Sequence, residues 1–140
     1  MLLKPTPRGL VKLEDMTNIS PCVIVYDLDQ ARHVLGLQRP VTLLSAPGAA
    51  SQAGCLWWKM LIDEAGAAKI SFLDCDTAAG RALEALRLGL HGIVLRPQPS
   101  FAIVAEIAAA QGAVVLRQAP PALDLAHPGA CHHLQAWLDG

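Results

Sequence analysis

Charge and aromatic rings are the scarcest materials in this sequence. Only 16% of its residues are Asp, Glu, Lys or Arg and only 4% are aromatic, where typical soluble domains carry about 25% charge. A net charge of −1 supplies no basic field to attract nucleic acid or anionic lipid. So few rings offer no platform on which successive bases would stack. No run approaches the roughly eighteen apolar residues of a membrane span; the nearest, "SFAIVAEIAAA", is too short and contains Glu106. The amino terminus has no signal-peptide core, because Lys4, Pro5, Pro7, Arg8 and Lys12 interrupt its apolar pieces. Cys22, Cys55, Cys75 and Cys131 show no CxxC spacing and read as reduced thiols of a cytoplasmic protein, without a disulfide. The loop at 45–58 lacks the GxGxxG and GxxxxGK[ST] spacings and the lysine that would reach a phosphate; no cofactor is expected.

What is abundant is small and aliphatic. With 140 residues, 53% of them hydrophobic, the chain fits one domain that can bury about two-thirds of its unfolded surface. Five short runs rich in β-branched residues stand out: "CVIVY" (22–26), "VTLLS" (41–45), "KISFL" (69–73), "GIVLR" (92–96) and "AVVLR" (113–117). They are nearly continuous rather than alternating, as in strands covered on both faces. Between them lie helical stretches at about 28–37, 52–66, 77–89 and 99–111. In "TAAGRALEALRLG", Thr77 suits a helix start, Leu83, Leu86 and Leu90 share a face, and Gly89 suits the end. Connections this long between strands imply a parallel sheet. The expected fold is α/β: a three-layer α/β/α domain with a mainly parallel five-stranded sheet, or alternatively a half-barrel of βα units. Residues 1–20 form an amino-terminal arm, 21–117 the core and 118–140 a carboxy-terminal extension.

The segment "LDCDTAAGRALEALRLGLHGIVLRPQPSFAIVAEIAAA", less than half of the chain, resembles the receiver domains of response regulators. Those also follow a strand with a helix of the "ALEALRLG" kind and then an apolar strand ending in a basic residue and proline. The resemblance implies a flavodoxin-like sheet, with Arg96 in place of the receiver lysine and Thr77 near its hydroxyl position. Ser45 or Ala46 stands where the phosphorylated aspartate belongs, so the likeness is to a degenerate receiver that lacks the phosphoacceptor.

In open parallel sheets ligands sit beyond the carboxyl ends of the strands, where helix amino termini also point. The residues that fall there are Asp27 and Asp29; Ser45, Gly48 and Ser51; Asp74, Cys75, Asp76 and Thr77; Arg96, Gln98 and Ser100; and Arg117 with Gln118. Gly48 and Gly54 permit close backbone approach, and Ser51 or Gln52 can cap the following helix, leaving N–H groups free for an anion. The bland alternative is a helix entrance whose small residues pack tightly on the sheet. In "LDCDT" the flanking carboxylates oppose a Cys75 thiolate, while Asp76 or Thr77 can cap a helix and Asp74 can pair with Arg96. Arg96 and Arg117 end consecutive strands, and two converging guanidiniums suit a carboxylate or phosphate. "HPGACHH" brings together His127, Cys131, His132 and His133, but adjacent histidines diverge and no second cluster completes a metal site. The candidate ligand residues are thus Ser45, Gly48, Ser51, Asp74, Asp76, Thr77, Arg96, Ser100 and Arg117, for a small anionic metabolite.

Trp57 and Trp58 diverge by about 100° on a helix, and the 99–111 helix is apolar all round, which marks a helix buried on every side. A homodimer through Trp57, Trp58, Phe101 and Val104 follows as an expectation. Two functions remain open: binding of a small anionic metabolite at the sheet edge, or a non-catalytic oligomeric or regulatory module.

Overall fold

The computed structural model describes residues 19–140; most of the expected amino-terminal arm, residues 1–18, lies outside the described residues. Strands β1 (Cys22–Ile24), β2 (Thr42–Leu44), β3 (Ser71–Asp74), β4 (Gly92–Val94) and β5 (Val114–Leu116) match the five apolar runs, β3 extending one residue past its run. They alternate with helices α1 (Leu28–Gly36), α2 (Ala49–Gln52), α3 (Cys55–Ala65), α4 (Ala79–Arg87) and α5 (Phe101–Ala110). The carboxy-terminal stretch adds a sixth strand, β6 (Ala122–Asp124), and a closing helix, α6 (Leu134–Asp139). All strand pairs are parallel, in the order β5-β4-β3-β2-β1-β6. The α/β class and the parallel sheet are as the sequence implies, with six strands instead of five.

The sequential run from β1 to β5 is the order of the half-barrel alternative and not the 2-1-3-4-5 order of flavodoxin-like sheets. Right-handed connections that step in one direction put successive helices on the same face. One core cluster accordingly joins Val23, Leu43, Leu73, Ile93 and Val115 to buried residues of every helix, from Ala31 of α1 to Leu138 of α6. The opposite face gathers Ile24, Leu44, Phe72, Val94 and Leu116 into a second, smaller cluster.

That second face is buried because the sheet curls. In a flat sheet β5 and β6 would stand five strand spacings apart, about 24 Å. The chain runs from Leu116 to Ala122, and so short a stretch reaches at most about 22 Å fully extended. It must also return to the opposite strand end, since β6 is parallel to its neighbour. The edges therefore bend toward each other, and Ala119 of the connecting segment packs on the inner cluster.

The helix expected over 52–66 is α3, and the short α2, which shares only Gln52 with that span, precedes it. Gly54, with φ +94°, breaks them apart, a conformation that side-chain-bearing residues rarely adopt. In α3, Trp58 is 0% exposed and Leu61 and Ile62 are buried beside it. Val104 of α5 is also 0% exposed. Neither is available to a partner chain, which corrects their place in the expected dimer contact: the helical layer of the same chain covers both. Trp57 and Phe101 are half-buried, and the large apolar side chains left exposed are Leu56, Met60, Ile70, Ile103 and Ile107. The helix at α5 is thus apolar all round without being buried all round.

Gly92 tests the inner packing. A Cβ there would stand 2.6 Å from the Phe72 ring and 2.8 Å from the Ser71 carbonyl oxygen. Gly92→Ala is expected to destabilise the protein by about 1–3 kcal/mol through overpacking, read as a lower urea midpoint with unchanged slope. An unchanged midpoint would show that the inner face is looser than described.

Candidate functional site

Alternation along each strand sorts the rim residues between the two faces. Leu73 and Cys75 belong to the helix-side core while Phe72 lies in the inner cluster, so Asp74 ends β3 on the inner face. By the same count Tyr26, Ala46 and Arg96 follow Ile24, Leu44 and Val94 inward, and Asp124 follows Ala122. The carboxyl ends of five neighbouring strands therefore present Asp124, Tyr26, Ala46, Asp74 and Arg96 around one mouth.

Asp74 is its centre. The side chain is 1% exposed, and Oδ1 accepts from the Gly48 N–H at 3.2 Å, the Asp76 N–H at 2.8 Å and the Arg96 guanidinium at 3.4 Å. Its own N–H donates to Ser45 Oγ at 2.8 Å, and the Ser45 hydroxyl donates to the Ala46 carbonyl at 3.1 Å. Arg96 also reaches Asp76 Oδ1 at 3.3 Å, and its N–H donates to the Asp76 carbonyl at 2.8 Å. This clamp holds Asp76 at φ +52°, a left-handed position uncommon for a residue with a side chain. Asp74 Oδ2 is buried yet has no hydrogen-bond partner among the described residues, and the same is true of Gln98 Nε2. Buried polar atoms are satisfied in the great majority of cases. The orphaned oxygen of Asp74, at the end of β3, is therefore the most telling feature of the mouth.

The candidate residues divide. Ser45, Gly48, Asp74, Asp76 and Arg96 form one hydrogen-bonded cluster. Within it Ser45 is fully buried and Gly48 turns its N–H to Asp74, so both act as supports. Ser51 is exposed on α2, and α3 begins at Gly54 without a side-chain cap, so the expected cap at Ser51 or Gln52 is not formed. Thr77 is exposed, and α4 starts with Ala78 at its cap, so neither Asp76 nor Thr77 serves as the expected cap. Ser100 stands at the start of α5, but its side chain makes no capping bond; its N–H donates to Gln98 Oε1 at 3.1 Å. Arg117 does not converge with Arg96. Its guanidinium lies 5.1 Å from the centre of the Phe101 ring, on the helix side. One residue of register separates the two arginines, and one residue turns a side chain to the other face.

Tyr26 and Asp124 complete the mouth, and neither is among the residues expected there from the sequence. The Tyr26 hydroxyl donates to Asp124 Oδ1 at 2.8 Å, and burial together with that carboxylate pushes its pKa up to about 12. Asp27, beside it, accepts from the Gln30 N–H at 2.8 Å, while Gln30 Oε1 accepts from the Tyr26 N–H at 2.7 Å. This reciprocal capping pair fixes α1 and consumes Asp27. In the tail, Cys131, His132 and His133 are exposed, whereas Ala130, Leu134 and Leu138 anchor the segment to the core.

Three cavities are lined by residues other than Asp74 and Arg96; the smallest, of about 380 Å3, lies beside Lys59, Asp63, Lys69 and His91. One of about 520 Å3, near the amino ends of β1 and β6, is lined by Ile19, Pro21, Pro120, Pro121 and Trp137 among others. Trp137 Nε1 there already donates to the Cys22 carbonyl at 2.8 Å. Another of about 520 Å3 lies between α1 and α3, lined by Tyr26, Asp27, Trp57, Met60 and Leu61 among others. These two are mainly apolar, and none of the three is lined by a buried polar atom without a partner. Among the described residues no helix is long and apolar enough to cross a membrane. Compared with protein-family models, curated proteins and solved structures, the chain matches none of them.

All four cysteines are free, and only Cys131 is exposed. Burial pushes the Cys75 thiol up to about 12, reinforced by Cys55, Asp74 and Glu84, and lifts Cys22 and Cys55 to about 11. Each keeps its proton in the folded state at a pH where the unfolded chain, ionising near 9, has lost it. Their contribution to stability is thus full below about pH 9 and is lost as pH rises through 11–12, by about 1.4 kcal/mol per pH unit per thiol. Urea titrations across this range should show the fall, with a shallower slope in Cys75→Ala. At pH 8 a thiol reagent should modify Cys131 rapidly and the other three only on unfolding. Rapid modification of Cys75 in the native protein would overturn this account.

Proposed function

We propose that the protein binds a small polar metabolite at the mouth formed by the carboxyl ends of its strands, with Asp74 at the centre. The observation that carries this reading is the buried Asp74 Oδ2, which has no hydrogen-bond partner among the described residues. A carboxylate oxygen withdrawn from water and left unmatched costs on the order of 1–3 kcal/mol or more. A ligand that donates to it recovers that cost.

The balance of charge alters the kind of ligand expected from the sequence. Arg96 is shared between Asp74 and Asp76, and Asp124 lies on the same inner rim. The second guanidinium that would have favoured an anion, Arg117, is on the other face. A ligand that brings hydrogen-bond donors therefore suits the mouth better than a strong anion. Chemistry on the ligand is not supported by the nucleophiles present. Ser45 is fully buried with its hydroxyl engaged, and burial holds the Cys75 thiol protonated. The geometry favours binding.

The reading is tested by recording amide spectra of 15N-labelled protein against a broad set of small polar compounds. Binders should shift the amides of Ala46, Gly48, residues 74–77, Arg96 and Gln98. Shifts confined to the cavity around Trp137 would overturn it.

A second reading, an assembly module, is favoured by Ile103 and Ile107 on α5, which are 59% and 40% exposed one helical turn apart. Under it the chain sediments as a dimer, and the double variant Ile103→Glu, Ile107→Glu becomes a folded monomer. A monomeric wild-type protein at micromolar concentration would remove this reading.

A further inference from the structure

The cavity of about 520 Å3 between α1 and α3 joins an apolar wall to charge of one sign. Its volume falls in the range of about 300–1,000 Å3 usual for small-molecule sites. Leu28, Trp57, Met60 and Leu61 supply the wall, and Asp27 and Glu64 are its charged groups. Among the described residues no lysine, arginine or histidine lines it. Trp57 is held there by its neighbour. Trp58 is 0% exposed in the core, and consecutive helical residues point about 100° apart, so Trp57 stays half-buried at the surface. The two rings lie 5.8 Å apart, so Trp58 backs Trp57 from within. Met60, one turn further along α3, is 64% exposed. An indole is the side chain with the strongest attraction for a cation through its ring, and a thioether is soft and adaptable. Tyr26 adds surface without a free hydroxyl, since its O–H is committed to Asp124.

The two carboxylates are fixed but not consumed. Asp27 caps α1 through Oδ1, which accepts from the Gln30 N–H at 2.8 Å, and its Oδ2 engages no group among the described residues. Glu64 meets Arg32 across the two helices at 3.3 Å, with side chains 66% and 53% exposed. An ion pair that open to water is weak and readily exchanged. Lys59 is already bound to Asp63 at 2.6 Å, and His33 stands in the last turn of α1, away from Asp27. Asp29 adds another carboxylate in the first turn of α1. Around the cavity Asp27, Asp29, Asp63 and Glu64 thus outnumber Arg32 and Lys59.

An anion would meet two carboxylates here, and a neutral apolar molecule would leave both unused. A cation with an apolar body suits the wall and the charge together. We propose that the cavity between α1 and α3 binds a small organic cation of the quaternary ammonium or alkylammonium class. Its methyl or methylene groups lie against Trp57 and Met60, and its charge lies beside Asp27 and Glu64. The cavity shares only Tyr26 with the mouth, so binding at one does not require binding at the other.

The experiment titrates 15N-labelled protein, at constant ionic strength, with choline chloride, tetramethylammonium chloride, sodium acetate and 3,3-dimethylbutan-1-ol, the uncharged isostere of choline. Choline and tetramethylammonium should shift the amides of Tyr26, Asp27, Leu28 and residues 57–64 and the indole N–H of Trp57. The uncharged isostere should bind about fivefold or more weakly than choline, and acetate should cause no shift. Trp57→Leu keeps an apolar wall without the ring and should weaken choline binding about fivefold or more. The double variant Asp27→Asn, Glu64→Gln keeps a capping side chain on α1 and removes both charges. It should weaken choline binding about threefold or more, and it serves if Trp57→Leu fails to fold. Equal binding of choline and its isostere overturns the proposal, because the cavity then selects apolar shape and not charge. Choline binding unchanged in the folded variants, or no response to either ammonium compound, overturns it as well. Shifts confined to Gly48, residues 74–77 and Arg96 would also overturn it, while leaving the mouth as a binding site.

Discussion

Because residues 117–121 must carry the chain from β5 to the start of β6 at the far end of the strand order, the sheet has no flat solution, and the rest of the molecule follows from that constraint. Bending the sheet lets one face bury itself: Ile24, Leu44, Phe72, Val94 and Leu116 pack together under Ala119. All the helices can then share the outer face, where a single continuous core collects Trp58, Val104 and the alanines that let helices approach closely. The same bend turns the last inward residue of each strand toward a common mouth. In a flat sheet Asp124 and Arg96 would stand four strands apart; on a curled one they belong to one rim.

The mouth is built around a carboxylate that the fold holds but does not fully satisfy. Three donors converge on Asp74 Oδ1, and Ser45 fixes the backbone behind it. The clamp is rigid where it is made of backbone, at Gly48 and Asp76. It is yielding where it is made of the long Arg96 side chain. Burying a charge is costly unless it is paired and hydrogen-bonded, and a structural role alone would be better served by an apolar residue at the end of β3. The incomplete pairing of Asp74 is therefore more informative than its ion pair.

How much of this was legible depended on whether a feature was local. The five apolar runs announced their strands, because β-branched continuity over a few residues needs no long-range information. β6 did not announce itself: "ALD" follows Pro120–Pro121, is only three residues long, and becomes a strand by pairing with β1. Asp124 disappeared from the candidate rim together with it. The candidate cluster was legible around Asp74, Asp76 and Arg96, since strand ends of a parallel sheet fall at one edge. The facing of Arg117 was not, because a run of consecutive apolar residues carries no alternation from which to read register. Gly54 was read as a residue for close approach, whereas its φ of +94° makes it the break between α2 and α3. Both tryptophans were expected at a contact surface, but α3 rolls Trp58 fully inward and leaves Trp57 at the edge, their rings 5.8 Å apart.

The scarcity of charge, the most visible property of the sequence, takes on a different meaning at the mouth. Most of the ion pairs are surface pairs of helices or their ends: Arg32 with Glu64, Lys59 with Asp63, Arg81 with Glu84, and Arg39 with Asp139. Exposed pairs of this kind contribute little each, in the range of about 0–1 kcal/mol. Among the described residues Arg96 is the one arginine or lysine committed to the inner rim, and two carboxylates already share it. Long-range attraction can therefore do little to gather or select a ligand. Selection has to come at short range, from which atoms donate and which accept, and the pairing left incomplete at Asp74 is of that kind.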